Sequence, residues 1–324
     1  MDLEIKYCPG TLVEGYNTYS RTCLKRVFND KKVHHLLPYK SPATDEETDN
    51  LFVENRKRMS ISGVQEKFSI LLEKNKIRLI SEGERGTYIL KPIPNVGKNK
   101  EFMPANEHLT MQIAKQVFNI ETAENAMIFF SDGKPAYITK RFDVKDGVKL
   151  AKEDFASLAG RTPQTHGEDY KYLGNYFELF QLLKKYVPAY ITEAPKLYKL
   201  IVFNYLFSNG DAHFKNFSLI ETKMGDYKLS PAYDLLNSQI HIEDRDFALE
   251  GGLIPYQLKK GKVKNHFMIL ADYAGINQKT LDRIMDEMLS GTEKVIKLIE
   301  ASFLSDKLKR NYLQAYQTRI KKVL

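Results

Sequence analysis

Asp211 and Asn216 stand five positions apart in the run Asn209-Gly-Asp-Ala-His-Phe-Lys-Asn216, and Asp234 follows eighteen residues later in Ser230-Pro-Ala-Tyr-Asp-Leu-Leu-Asn237. Transfer of a phosphoryl group to a hydroxyl asks for residues of these types. It needs a carboxylate that orients the acceptor and takes its proton, and oxygen ligands that hold magnesium against the phosphates. Asp211 suits the first part; Asn216, through its amide oxygen, and Asp234 suit the second. Taken singly, each also reads as a turn residue, since Gly-Asp pairs and Asn or Asp at a strand entry are common turn chemistry. The order of the three along the chain carries the argument.

Upstream residues extend the pattern. The step from Asp211 to Asn216 matches the Asp-to-Asn spacing in the catalytic loop of protein kinases. Lys91 closes the run Thr87-Tyr-Ile-Leu-Lys91 before Pro92, and Glu107 falls in the first turn of the helical pattern that follows. A strand lysine paired with a helix glutamate is how kinases hold the α- and β-phosphates of ATP. A first-turn glutamate is also what the helix dipole favours without any partner. Ser60-Ile-Ser-Gly-Val-Gln-Glu-Lys67 lies just before the first strand, and Ser60, Ser62 and Gly63, followed by Val64, would let backbone amides approach phosphates. With one glycine it is not a Gly-x-Gly-x-x-Gly loop, and it reads equally well as a plain turn.

The elements that must position these residues change character along the chain. Residues 1–58 read as a mixed lead-in that ends in an acidic, turn-rich linker at 41–50. Short β-branched or apolar runs at 68–72, 76–80 and 87–91, parted by Asn75, Gly83 and Gly86, predict consecutive antiparallel strands. Pro104 opens a helical pattern over 105–118, and strands at 126–130 and 136–140 follow, joined by a Ser-Asp-Gly-Lys turn. Beyond Arg141 helices dominate, at 176–186, 192–208, 279–301 and 306–322, with short strands at 217–220 and 227–229. The expected architecture is α+β in two lobes. A small β-rich N-terminal lobe, 1–140, carries the loop 60–67, and a larger helical C-terminal catalytic lobe spans 141–324, with a ligand cleft between them.

Composition narrows the class without choosing a chemistry. The 324 residues are 43% hydrophobic and 28% charged, which is ordinary for a globular chain. No apolar run approaches the roughly 18–20 residues of a membrane span, so no membrane association is expected. The amino terminus lacks the basic and apolar regions of a secretory signal, which makes the cytoplasm the expected location. Net charge is +8, enough to attract nucleic acid weakly, although lysine-rich faces are often simply solvated. Cys8 and Cys23 are the only cysteines; both are expected to stay reduced, and neither has neighbours at zinc-site spacing.

One resemblance is specific. Ser-Ile-Ser-Gly-Val-Gln-Glu-Lys (60–67), Ile-Leu-Lys-Pro (89–92), Ala-Asn-Glu-His (105–108), Lys-Arg-Phe-Asp (140–143), Asn-Gly-Asp-Ala-His-Phe-Lys-Asn-Phe (209–217) and Pro-Ala-Tyr-Asp-Leu-Leu (231–236) together resemble the HipA-like serine/threonine kinase toxins, from about residue 55 onward. The resemblance implies a two-lobed protein-kinase-like fold that uses ATP and Mg2+. It also implies a toxin that phosphorylates a serine of an aminoacyl-tRNA synthetase and so halts translation. By motif position, Lys91 would contact the ATP phosphates beside Ser62, Gly63 and Val64, with Glu107 as its partner. Asp211 would be the catalytic base, Asn216 and Asp234 would hold magnesium, and His213 would lie beside the nucleotide. Residues 140–143, Lys140 and Phe142 among them, would form the hinge that offers backbone groups to adenine.

In that family a phosphate-loop serine is autophosphorylated and the loop is ejected; Ser60 and Ser62 are both candidates here. The chain begins too close to its phosphate loop to include the extra N-terminal domain of full-size members, so it resembles the short HipT type, associated with tryptophanyl-tRNA synthetase. The implied partners are a helix-turn-helix HipB-like antitoxin, which would bring DNA only indirectly, and a small HipS-like protein. Two other readings share features with this one. A small-molecule phosphotransferase would also carry Gly-Asp-x-His-x-x-Asn, and a catalytically silent module could sit on DNA with an antitoxin through positive charge.

Overall fold

Strand alternation decides which way the central lysine points. In a computed structural model describing residues 5–42, 66–145, 147–243 and 245–324, strands β1 (Phe68–Glu73), β2 (Lys76–Leu79), β3 (Tyr88–Pro92), β4 (Asn125–Phe129) and β5 (Pro135–Lys140) form one antiparallel sheet, ordered β2-β1-β3-β5-β4. Phe68, Ile70, Leu90, Ile128 and Ile138 fill one face and meet Val27 and Phe28 of helix α1 (Arg21–Phe28). Met127, Phe129 and Tyr137 fill the other, with Leu109 and Ile113 of helix α2 (Met103–Gln116). Successive side chains in a strand point to opposite faces, so Lys91, next to Leu90, faces α2. Pro104 in the first turn of α2 sits where a helix tolerates it.

The chain then alternates small hairpins with helices. The pair β6 (Val144–Lys145) and β7 (Val148–Lys149) leads to β8 (Lys152–Asp154) and the single turns α3 (Phe155–Leu158) and α4 (Pro163–His166). Helix α5 (Tyr176–Tyr186) starts on a capping box between Asn175 and Glu178 and precedes the mostly buried α6 (Tyr190–Leu206). Strands β9 (Ser218–Glu221) and β10 (Tyr227–Leu229) pair with β8 into a three-stranded sheet. Helices α7 (Val263–Tyr273), α8 (Gln278–Ser290), α9 (Thr292–Ala301) and α10 (Asp306–Val323) complete the described chain. Among the described residues, no helix is long and apolar enough to cross a membrane.

Two expectations need correcting. The run 279–301 is two helices, because the chain breaks at Gly291, where an added Cβ would come within 2.8 Å of Phe118 and Val117. The helix expected over 192–208 ends at Leu206, since Ser208 adopts a left-handed φ of 53°. The described part of the lead-in carries a helix the sequence pattern did not announce. Ser20 accepts the Cys23 N–H to start α1, and Asn29, also left-handed, ends it. Cys8 and Cys23 are buried and free. Ser60, Ser62, Gly63 and Val64 lie outside the described residues.

Candidate active site

Two turns bring three regions of the chain together. The loop after α6 carries Asp211, closes in a one-turn 3-10 helix at Phe214–Asn216 and enters β9; the β9–β10 hairpin returns the chain to Asp234. Tyr233 fastens this return, donating to the Lys215 carbonyl at 2.8 Å and contacting the Ser218 hydroxyl. Asp234 itself has φ 55°, a left-handed conformation that costs a non-glycine residue on the order of 1–3 kcal/mol and persists where surrounding contacts demand it.

Lys91 is the hub. Its Nζ donates to Glu107 Oε1 at 2.6 Å and also to Asp234 Oδ1, while Lys67 approaches Asp234 Oδ2 at 3.3 Å. The aromatic face of Tyr137, opposite Lys91 in the β3–β5 register, lies 5.3 Å from Nζ. Two ammonium groups and two carboxylates therefore balance one another. Burial alone would lower the Lys91 pKa, but Asp234 and Glu107 more than offset it and hold it above the ordinary lysine value. Burial alone would raise Asp234, yet the charges of Lys67 and Lys91 keep its carboxyl well below the usual range. Glu107 remains raised by burial, with Lys91 recovering only part.

Asp211 has different surroundings. Its side chain is 45% exposed, and its Oδ1 accepts from the Tyr172 hydroxyl at 2.8 Å. Burial of the carboxylate raises its pKa, and the Tyr172 hydrogen bond restrains the rise. His213 Nε2 lies 3.7 Å from the same oxygen, and burial with nearby Lys171 pushes the imidazole down to about 3, so it is neutral near pH 7. Asn216 Oδ1 is buried and accepts no hydrogen bond among the described residues. An amide oxygen with both lone pairs free suits a hard cation, and Asp234 supplies the anionic oxygen such an ion also requires.

The structure thus brings together Lys91, Glu107 and Asp234, and separately Asp211, His213 and Asn216 on one loop. It does not bring the Lys140 side chain to them. That ammonium bonds Asn29 Oδ1 at 2.6 Å, and its backbone N–H donates to the Glu124 carbonyl. Phe142 lies nearer, its ring 5.7 Å from that of Tyr233, with Lys152 Nζ over both rings. Sequence reasoning assigned no role to Lys67 or Tyr172. Lys67 closed the 60–67 run and could have been tested as a phosphate ligand. Tyr172 lies in a stretch without periodicity, 39 positions before Asp211, and gave no signal.

Tyr172→Phe isolates that contact. Loss of the donor is expected to raise Asp211 further, so the acid limb of the pH–activity profile shifts to higher pH. Activity should fall about three- to tenfold near pH 6 and less at pH 8. An unshifted profile would mean that the hydroxyl does not act on Asp211.

A β-sheet that presents a lysine to a helix glutamate, joined to a helical region whose loops present Asp, Asn and Asp, defines a kinase-like fold. The chain belongs to the family described as the HipA-like C-terminal domain, whose model matches residues 59–296. It is 23% identical to a suspected kinase of Haemophilus influenzae over 95% of this chain and 93% of that protein. It is 32% identical to the suspected kinase Y4dM of Sinorhizobium fredii over 60% of this chain but 48% of Y4dM, so it spans about half the length of that relative. In structure it resembles the Shewanella oneidensis HipA solved with HipB and operator DNA. The TM-score is 0.63 at 19% identity, covering 88% of this chain and 71% of that one.

Proposed function

We propose that this protein is an ATP- and Mg2+-dependent serine/threonine protein kinase that acts as the toxin of a toxin–antitoxin system. One observation carries the reading: Lys91 grips Glu107 and Asp234 at once, while Asp211 and the unpartnered oxygen of Asn216 stand on the adjoining loop. Lys91, with Lys67 beside it, would hold the ATP phosphates. Asn216 and Asp234 would hold magnesium, which when bound neutralises charge that builds on the transferred group. Asp211, a stronger base than an ordinary carboxylate because it is partly desolvated, would take the proton of the acceptor hydroxyl as that oxygen bonds to the γ-phosphorus and the bond to the β-phosphate oxygen breaks. His213, neutral and buried, would wall the nucleotide side of the loop, and the backbone around Phe142 would border adenine.

The acceptor we propose is a serine of an aminoacyl-tRNA synthetase, with the tryptophanyl enzyme first to be tried, and a second acceptor is Ser60 or Ser62 of the chain itself. A phosphoserine there would add close to two negative charges beside the ATP phosphates and drive the loop away. The Shewanella HipA is described in complex with HipB and operator DNA. By the shared fold we extend to this chain a helix-turn-helix antitoxin of that kind, and with it a small HipS-like partner of the short HipT type. Intact-mass and peptide mass spectrometry after incubation with Mg2+ and ATP tests the reading. Phosphate is expected on Ser60 or Ser62 in the wild type and on neither in Asp211→Asn. Transfer to a small molecule with no phosphoprotein formed would favour a small-molecule phosphotransferase instead.

A further inference from the structure

The two catalytic loops and the helix bearing Glu107 are joined by side chains that no role above accounts for. Asn106, adjacent to Glu107 and fully buried, pairs with the backbone of Asn237 in both directions: Nδ2 donates to the Asn237 carbonyl at 2.8 Å, and Oδ1 accepts the Asn237 N–H at 3.1 Å. One residue further, the Ser238 hydroxyl donates to the Ser208 carbonyl at 2.9 Å and accepts the Gly210 N–H at 2.9 Å, and the Ser238 N–H also reaches Ser208 O at 3.0 Å. Gly210 immediately precedes Asp211, and Asn237 lies three residues after Asp234. Arg319 of α10 backs the join, with its guanidinium over the Tyr205 ring and Nε 3.4 Å from Ser208 Oγ.

We infer that Asn106 and Ser238 form a polar clamp that sets the position of Asp211 relative to Asp234 and to the Lys91–Glu107 pair, and that both are positioning residues for the reaction. The inference rests on the proposed function for its catalytic consequence and on the geometry alone for its mechanical one. Two features single out the clamp from ordinary loop packing. Each loop carries a non-glycine residue in the left-handed region, Ser208 at φ 53° and Asp234 at φ 55°, and such conformations hold only where neighbouring contacts over-determine them. The clamp also uses side-chain groups to satisfy backbone groups that sit in neither helix nor sheet. Removing the Asn106 side chain leaves the Asn237 N–H and carbonyl without these partners, and removing the Ser238 hydroxyl leaves the Gly210 N–H without its own. Oxygens meant to share one ion and one phosphate tolerate little displacement, since an error of about 1 Å can cost on the order of 10²-fold in rate.

Two measurements test it. In steady-state kinetics, Ser238→Ala is expected to lower kcat by about 10- to 10²-fold while the KM for ATP stays within about threefold, and Ser238→Thr, which keeps the hydroxyl, restores most of kcat. If kcat per folded molecule stays within about twofold of wild type in Ser238→Ala, the positioning role is overturned. In hydrogen exchange, which needs no turnover, Asn106→Ala is expected to speed exchange of the Gly210 amide by about tenfold or more as well as that of Asn237. Acceleration confined to Asn237 would sink the clamp. Asn106→Asp, which keeps the acceptor and loses the donor, carries the same measurement if Asn106→Ala does not fold. A wild-type chain that transfers no phosphate at all overturns the function proposed above, and the exchange result then still decides the clamp.

Discussion

Asp211→Asn is expected to leave the chain folded and able to bind ATP with magnesium, yet to lower phosphoryl transfer by about 10²–10⁴-fold, the range a positioned general base contributes. The substitution preserves shape and keeps an acceptor for the Tyr172 hydroxyl, so the 2.8 Å contact survives while the proton acceptor is lost. Stability supplies the control. Burial raises the Asp211 pKa in the folded state, so its contribution is fully present below the unfolded pKa and is lost as pH rises through the folded one. Near neutral pH the ionised carboxylate is therefore a net cost to folding. The asparagine variant should melt at the same temperature as wild type or higher, with the gap closing in acid. Growth arrest that persists in Asp211→Asn, or a kcat within tenfold of wild type, would end the assignment of Asp211 as base. A collapse of melting temperature would show instead that the loop needs the charge to fold.

What the sequence could and could not reveal follows from how local each signal is. The strands around Lys91 were legible because β-branched runs and turn residues repeat over a few positions; the pairing of β3 with β5 that sets Lys91 opposite Tyr137 was not, since α2 and β4 intervene between them in sequence. Asp211, Asn216 and Asp234 were legible because one loop and one hairpin fix their spacing. Helix α1 was not, since eight residues give barely two turns of periodicity and so short a helix depends on its packing against the sheet. The break at Gly291 was also hidden. Glycine inside a helical run usually lowers helix propensity without ending the helix, and the close packing of Phe118 and Val117 that reserves the position for glycine comes from a segment far away in sequence. The same non-locality conceals the contacts that complete the site. Lys67 with Asp234 and Asn106 with Asn237 bridge more than a hundred residues, and no window of sequence contains both ends of either pair.

Lys91→Met should fail twice, in catalysis and in folding, and the two failures can be separated. The ammonium lies 4% exposed between Glu107, also 4% exposed, and Asp234. Its loss strands Glu107 and leaves Asp234 with Lys67 alone, and breaking a buried pair from one side costs about 3–5 kcal/mol. In a chain of this size that is a fall in Tm of roughly 5–10 °C. Glu107, already raised by burial, would rise further once Lys91 is gone. A raised carboxyl contributes its stability below the unfolded pKa and loses it as pH climbs through the folded one, so the variant's deficit should shrink between pH 7 and pH 5. Asp234 contributes no change to the wild type over that window, because Lys67 and Lys91 hold it ionised well into acid. The double variant Lys91→Met/Glu107→Gln removes the stranded charge and should recover most of the lost Tm. It should not recover activity, since on the proposed function Lys67 alone would be left to hold the phosphates, and removing one preorganised electrostatic group costs about 10²–10³ in kcat. Recovery of both together would mean that Lys91 serves the core alone. Recovery of neither would mean that the charged cluster is not what holds β3, α2 and the Asp234 loop in register.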